Sequence, residues 1–240
     1  MKFALQADQR IEATPNAPGV CHCCGTEMIA KCGNRKVWHW AHKTKQTCDH
    51  WWENETQWHR DWKDQFPVEW QEVVHFAEDG EKHIADVKTS TGLVIEFQHS
   101  SIKREEIEAR THFYKNIIWI VDENRSFKRN QDDFREHMSQ IKNEELDYSS
   151  DFSGSNWGSL KVPIFIDTGI DGWVIGQVPQ SEADFGFYKS HYLQKDYFIR
   201  SLIMSGRYLK TKMKSPAGHT NRWGTYFPPD NLYDFLKAEN

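Results

Sequence analysis

Short apolar runs separated by charged turns dominate the middle of the chain, and their spacing predicts most of its elements. Between Trp52 and Phe66, Glu55, His59 and Lys63 recur at every fourth residue, with Trp58 and Trp62 on an adjoining face. That is the period of a helix, and Pro67 ends it. Val68 to Ala77 is rich in Val, Trp and Phe, Glu78-Asp79-Gly80-Glu81 reads as a turn, and His83 to Thr89 forms the returning strand. A break at Ser90-Thr91-Gly92 precedes Leu93 to Gln98, the strongest strand pattern in the chain, so three antiparallel strands are expected. Lys103 to Lys115 predicts a helix and Ile117 to Val121 a fully buried strand. Asn124 to Asp151 is charged and amide-rich, giving a helix followed by a loop. Beyond it, Lys161 to Ile166 and Gly172 to Val178 predict a hairpin, and Tyr192 to Leu209 a helix. Residues 1 to 19, by contrast, are polar with Pro15, Pro18 and Gly19, and read as an extended lead-in.

With 38% hydrophobic and 27% charged residues and 11 Trp, the 240-residue chain has the makings of a packed core, which excludes a disordered or fibrous protein. It contains no apolar run long enough for a bilayer, and Met1 to Arg10 lacks a signal-peptide layout, so a cytoplasmic protein without a membrane partner is expected. A net charge of −5 argues against holding nucleic acid by bulk charge alone. Charge is uneven, however: between Phe187 and Arg222 eight Lys or Arg face a single acid, Asp196. Lys210, Lys212, Lys214 and Arg222, interleaved with Tyr208 and Trp223, suit phosphate contacts and base stacking, although an ordinary solvated helix face has the same composition.

All five cysteines (Cys21, Cys23, Cys24, Cys32, Cys48) lie in the first fifth of the chain among histidines, which points to metal rather than disulfides. Cys21-x-x-Cys24 followed by Gly25 is a zinc-knuckle spacing. His39, His42, Cys48 and His50 are candidates for the second ligand pair, and thiolates with imidazole select Zn²⁺ over Mg²⁺. Cys23 and Cys32 are then spare thiols of the kind usually buried.

The other cluster is acidic. Asp86 sits in one predicted strand, while Glu96 and Gln98 alternate along the next and leave it on one face among apolar neighbours. A carboxylate among core residues needs compensation, and a divalent ion supplies it; strand faces half open to solvent would need none. Mg²⁺ takes oxygen ligands of this kind.

Taken in order, Cys21-His22-Cys23-Cys24-Gly25, His39-Trp40-Ala41-His42, Cys48, the Glu55/His59/Lys63 face, Ile84-Ala85-Asp86-Val87, Ile95-Glu96-Phe97-Gln98 with Ser100, Arg110 to Tyr114 and Ile118-Trp119-Ile120 resemble the PD-(D/E)xK nuclease superfamily, and within it the competence-protein CoiA-like branch. Pro163 to Asp167 is similar to a downstream element of that branch. The resemblance implies an α/β (α+β) fold: a restriction-endonuclease-like core with a mixed central sheet flanked by helices, an N-terminal zinc module and a C-terminal α+β extension, divided at 1–51, 52–125 and 126–240. It implies that Glu55, Asp86 and Glu96 gather Mg²⁺ or Mn²⁺, with the Phe97 carbonyl completing the shell. It also implies that Cys21, Cys24, His42 and Cys48 hold a structural Zn²⁺, His39 being the rival to His42. Gln98 stands where the superfamily usually has Lys; an amide can position water but not deprotonate it. Lys63, two turns after Glu55 with His59 between, is the candidate to replace that charge, against the ordinary roles of a surface lysine and a packing histidine. Arg110 and Tyr114 share a helix face that could meet phosphate or brace the helix.

The expected activity is metal-dependent endonucleolytic cleavage of DNA, single- or double-stranded, with a homo-oligomer left open. The alternative is a non-catalytic zinc-containing DNA-binding or recombination accessory protein. Such a module has no use for Glu55, Asp86 and Glu96 together, which favours the enzyme.

Overall fold

A computed structural model describes residues 1–44, 48–51, 55–124, 131–140, 157, 160–179 and 188–205. The chain divides into two compact units, Met1–Ser90 with Val94–Ile117, and Thr91–Leu93 with the chain from Ile118 onward. Both mix strands with helices, as the sequence pattern implies.

The first unit opens on a five-stranded antiparallel sheet, ordered β2-β1-β3-β4-β5, built from β1 (Phe3–Gln6), β2 (Gln9–Glu12), β3 (Pro18–Val20), β4 (Glu27–Lys31) and β5 (His39–His42). Residues 1 to 19 are therefore not a lead-in but three strands. Ala7 (φ 48°) and Asp8 (φ 63°) make the two-residue hairpin turn between β1 and β2 without the Gly or Asn that usually marks one. Met1, Ala4, Ala13, Cys21, Cys23, Met28 and Trp40 form the core of this sheet. Trp40 is fully buried and donates its indole N–H to the Ile11 carbonyl at 3.1 Å. Its ring passes so close to β3 that a Cβ on Gly19 would lie 2.9 Å from it.

Helix α1 (Gln57–Lys63) is shorter than the periodicity predicts. Thr56 is its N-cap, and His59 at the third helical position completes a capping box by reaching back to the Thr56 backbone N–H. Glu55 thus precedes the helix rather than lying on it. At the other end Gln65 and Phe66 donate to carbonyls three residues back, tightening the chain toward Pro67. A short 3₁₀ turn, Val68–Trp70, takes the start of the predicted strand.

The antiparallel meander expected from the pattern follows as β6 (Gln71–Phe76), β7 (Lys82–Lys88) and β8 (Val94–Gln98). Every β8 residue is buried, whereas β7 alternates. Helix α2 (Arg104–Tyr114) ends at Lys115, whose φ of 60° turns the chain so that the Asn116 carbonyl accepts from the Val94 N–H at 2.8 Å.

In the second unit β9 (Ile117–Asp122) runs parallel to β10 (Ile164–Asp167), which pairs antiparallel with β11 (Trp173–Pro179), itself antiparallel to β12 (Tyr188–Gln194). Helix α3 (Gln131–Gln140) sends Phe134 among Ile166, Ile170 and Ile175. Helix α4 (Lys195–Ser205) packs Phe198 on Phe165 with centroids 4.3 Å apart. The helix predicted from Tyr192 starts instead at Lys195, because Tyr192 to Gln194 pair in full register with β11, and long-range pairing overrides local propensity. The loop predicted after α3 lies outside the described residues.

Candidate active site and metal centres

Cys21 and Cys24 flank a tight turn in which the Cys21 N–H donates to the Thr26 carbonyl and the Gly25 N–H to the Cys21 carbonyl, both at 2.8 Å. Gly25 takes φ +72°, a conformation that favours glycine. The Cys23 N–H points at Cys21 Sγ, 3.4 Å away. His42 from β5 and Cys48 complete a set whose ligand atoms all lie within 4.8 Å of one another. Cys21 and Cys48 sulfurs are 3.7 Å apart, and Cys24 Sγ is 3.4 Å from His42 Nε2. Burial followed by thiol neighbours raises the pKa of Cys21 and Cys48, since crowded sulfurs cannot all ionise alone. Burial also opposes the Cys24 thiolate, but hydrogen bonds from the Thr26 hydroxyl and N–H and from His42 outweigh it and bring its pKa to about 6. Three sulfurs and one imidazole converging in this way fit a tetrahedral Zn²⁺. His39 turns away to the Val37 carbonyl at 2.8 Å, and neither Cys23 nor Cys32 joins the set.

Beside this cluster lies a cavity of about 180 Å³ whose walls include Glu55, His59, Lys63, Glu72, Asp86, Glu96, Arg110 and Tyr114, together with His42 and Cys48. Asp86 and Glu96 each grip the other's strand: the Asp86 N–H donates to Glu96 Oε1, and the Phe97 N–H to Asp86 Oδ2, both at 3.1 Å. Arg110 Nη1 reaches Glu96 Oε2 at 3.2 Å, while Nη2 donates to the Trp51 carbonyl and to Glu106. Arg110 therefore meets an acid of the cavity, and burial with these partners is its observed surrounding. The Lys63 ammonium stands 3.2 Å from Glu55 Oε1, 3.1 Å from Glu72 Oε1 and 3.2 Å from Asp86 Oδ1. Burial alone would lower its pKa, but Glu55, Glu72 and Asp86 raise it well above the ordinary value, so Lys63 is a cation.

Each remaining candidate has a definite place. His59 Nε2 lies 3.1 Å from the Phe97 carbonyl while Nδ1 faces Thr56, an arrangement that one neutral tautomer satisfies by donating from Nε2 and accepting at Nδ1. Burial lowers its pKa, in keeping with that neutral form. The Phe97 carbonyl is thus already engaged. Gln98 donates its amide to the Ser100 carbonyl at 2.8 Å and is not among the residues lining the cavity. Tyr114 does line it, buried and with its phenol pKa raised by burial and then by Glu96. Lys210, Lys212, Lys214 and Arg222 lie outside the described residues.

Two acids escape a reading of the sequence. Glu72 is buried at φ 47° and accepts from the backbone N–H groups of Lys2 (2.6 Å) and Phe3 (3.0 Å), residues 70 and 69 positions distant. No local pattern announces it. Asp49, adjacent to the zinc candidate Cys48, accepts from the N–H groups of Trp51 and Ile84 and faces His83 Nδ1 at 2.8 Å. Its position next to a ligand is the one clue the sequence offered. With His50 and His83 it forms the second group among the described residues whose donor atoms lie within 4.8 Å.

The cavity acids suit a hard divalent ion in donor chemistry, all being carboxylate oxygens. Glu55 Oε1 is buried without an aligned hydrogen bond and faces the Lys63 ammonium at 3.2 Å, so it already stands toward positive charge. Glu55, Asp86 and Glu96 do not converge to within 4.8 Å as the zinc set does, since the Lys63 ammonium stands between Glu55 and Asp86. Glu96 carries the strain of this crowding: burial and then Asp86 push its pKa up to about 8, against the pull of Arg110. A folded-state pKa above the ordinary 4.5 means stability that is present at low pH and lost as pH rises toward 8. Glu96→Gln is expected to raise the melting temperature of protein holding zinc but no other divalent ion, by a margin that widens from pH 5 to pH 8. A margin independent of pH would show that Glu96 is ionised throughout.

The chain matches the family model of the competence protein CoiA N-terminal domain over residues 6–50 and that of the competence protein CoiA nuclease-like domain over residues 82–153. No curated protein and no solved structure matches it. The first match contains the Cys/His set and the second contains Asp86, Glu96 and Arg110, while Glu55, Lys63 and Glu72 lie in the stretch between the two matched segments. The chain belongs to the competence protein CoiA-like family.

Proposed function

We propose that the protein is a metal-dependent DNA nuclease that hydrolyses phosphodiester bonds at the Asp86/Glu96 cavity, with a structural zinc beside it. The observation that carries this reading is the pairing of Asp86 with the buried Glu96 on adjacent strands of the segment that matches a nuclease-like domain, opposed by Lys63 and Arg110 inside one cavity. Asp86, Glu96 and Glu55 would hold Mg²⁺ or Mn²⁺. Such an ion supplies Lewis-acid stabilisation of the charge that develops on a phosphodiester.

The protein's own groups do the rest. Asp86 is the acid most open to solvent, its side chain 22% exposed against 4% for Glu55 and Glu96, so it meets the substrate side of the cavity first. Lys63 supplies the positive charge that Gln98 cannot, and orients the attacking water by hydrogen bonding. Arg110 holds the Glu96 carboxylate to one rotamer from behind, and His59 fixes the strand carrying Phe97 to the cap of α1. Incubating the pure protein with single- and double-stranded DNA, with Mg²⁺, Mn²⁺ or chelator, tests the reading. Cleavage that ignores the metal supply counts against it.

The basic stretch near the end of the sequence would contribute phosphate contacts to DNA binding. Replacing Lys210, Lys212 and Lys214 together by Ala should weaken DNA binding and flatten its salt dependence, by roughly one unit of log–log slope for each phosphate that a lysine no longer neutralises. An unchanged slope would assign these lysines to a bystander surface.

A further inference from the structure

The Lys63 ammonium occupies the ground between Glu55 and Asp86 that a divalent ion needs, and it cannot remain there once the ion arrives. Its third partner differs from the other two. Glu72 Oε1 and Oε2 are fixed by the N–H groups of Lys2 and Phe3, at the start of β1, and its φ of 47° is one that side-chain-bearing residues seldom adopt. Glu72 is anchored through both oxygens by backbone donors and cannot swing to follow an incoming ion, whereas Glu55 is held through Oε2 by Arg60 at 2.9 Å and keeps Oε1 without an aligned hydrogen bond. Glu72 therefore offers the ammonium a partner that metal entry leaves in place.

Resting on the nuclease reading above, we propose that Glu72 is a positioning residue: it retains Lys63 at the edge of the site when a divalent ion takes Glu55, Asp86 and Glu96. Lys63 then acts as a built-in competitor of the metal in the empty site and as a neighbouring cation in the filled one. The backbone of β1 sets where Glu72 holds it, so the N-terminal sheet contributes to the acidic centre without lending it a side chain.

Mn²⁺ binding to the zinc-loaded protein without DNA, followed by electron paramagnetic resonance, tests this apart from cleavage. Lys63→Gln should tighten Mn²⁺ binding at least about tenfold, the scale of one charged hydrogen bond. Glu72→Gln should weaken it by about the same factor, because the ammonium loses its retreat. In the Lys63→Gln background most of the Glu72→Gln effect should vanish, which distinguishes action through Lys63 from direct coordination or general loosening. Melting temperature and zinc content establish that each variant folds, and Lys63→Gln keeps the proposal testable if Glu72→Gln does not. Weaker Mn²⁺ binding by Lys63→Gln, an unaltered affinity in Glu72→Gln, or an equal Glu72→Gln effect in both backgrounds overturns the role of Glu72. Wild-type protein that takes up no Mn²⁺ overturns the nuclease reading and this role with it.

Discussion

Asp86→Ala and Glu96→Ala should each lower metal-dependent DNA cleavage by at least about a thousandfold while zinc content stays at wild-type level. Either change removes a carboxylate from the cavity and weakens the hold on a divalent ion, and Asp86→Ala also takes one of the three partners of Lys63. Both changes also alter stability. Glu96 is buried and crowded by Asp86, so the loss of either charge relieves repulsion, and without Glu96 the Arg110 guanidinium keeps Glu106 and the Trp51 carbonyl as partners. Each alanine also orphans a backbone donor, the Asp86 N–H without Glu96 and the Phe97 N–H without Asp86, at a cost of about 1–3 kcal/mol. Glu96→Gln and Asp86→Asn, which shed the charge and keep an acceptor for that N–H, should accordingly melt higher than Glu96→Ala and Asp86→Ala. Cleavage at the wild-type rate in both alanine variants, with contaminating nuclease excluded, would place the chemistry elsewhere.

Zinc removal is the second large effect. Purified protein should carry one Zn²⁺ per chain, held by Cys21, Cys24, His42 and Cys48. Structural zinc contributes on the order of 10 kcal/mol to the smallest metal-dependent folds, and less where a sheet has its own core, as Trp40, Met28 and Ala4 provide here. Loss of about 5 kcal/mol would lower the melting temperature of a chain of this size by ~10–20 °C. Cys48→Ser or exhaustive chelation should produce that drop, with faster amide exchange concentrated in β3, β4 and β5. Cys32→Ser and His39→Ala, which change residues outside the set, should leave the metal content intact. Zinc well below one per chain in protein never exposed to chelator, or equal loss from His39→Ala and His42→Ala, would refute the assignment.

What a sequence shows and what it hides follow the range of the interactions concerned. The β6–β8 meander is legible because runs of β-branched and aromatic residues broken by Gly-containing turns are local signals, and the whole structure of that segment rests on neighbouring strands. Helix α1 is legible as a helix but not in its length, since Glu55, His59 and Lys63 keep the four-residue period while the chain is helical only from Gln57. Its cap uses His at a position where Glu or Gln is the recognised signal. The first three strands are illegible for a plainer reason: Ala7-Asp8 carries no turn signature, and Pro15, Pro18 and Gly19 mimic a loop.

The site divides along the same line. Cys21, Cys24, His42 and Cys48 follow ligand spacing, and the choice of His42 over His39 becomes visible only when β5 pairs with β4. Asp86, Glu96 and Lys63 gather in one cavity, yet Gln98 does not line it and donates its amide to the Ser100 carbonyl, a partner that strand alternation does not announce. Glu72 enters through partners some seventy residues away, beyond any window a periodicity can sample.

The contact between Gly19 and Trp40 has a hereditary consequence. A methyl group at position 19 collides with the indole, and a smaller ring at position 40 leaves a void beneath β5, the strand that presents His42. Each residue thus makes a change at the other harmful, while a paired change, a larger residue at 19 with a smaller one at 40, restores the fit. Across homologous chains these two positions should covary, and a lineage should pass from one combination to the other only through a destabilised intermediate.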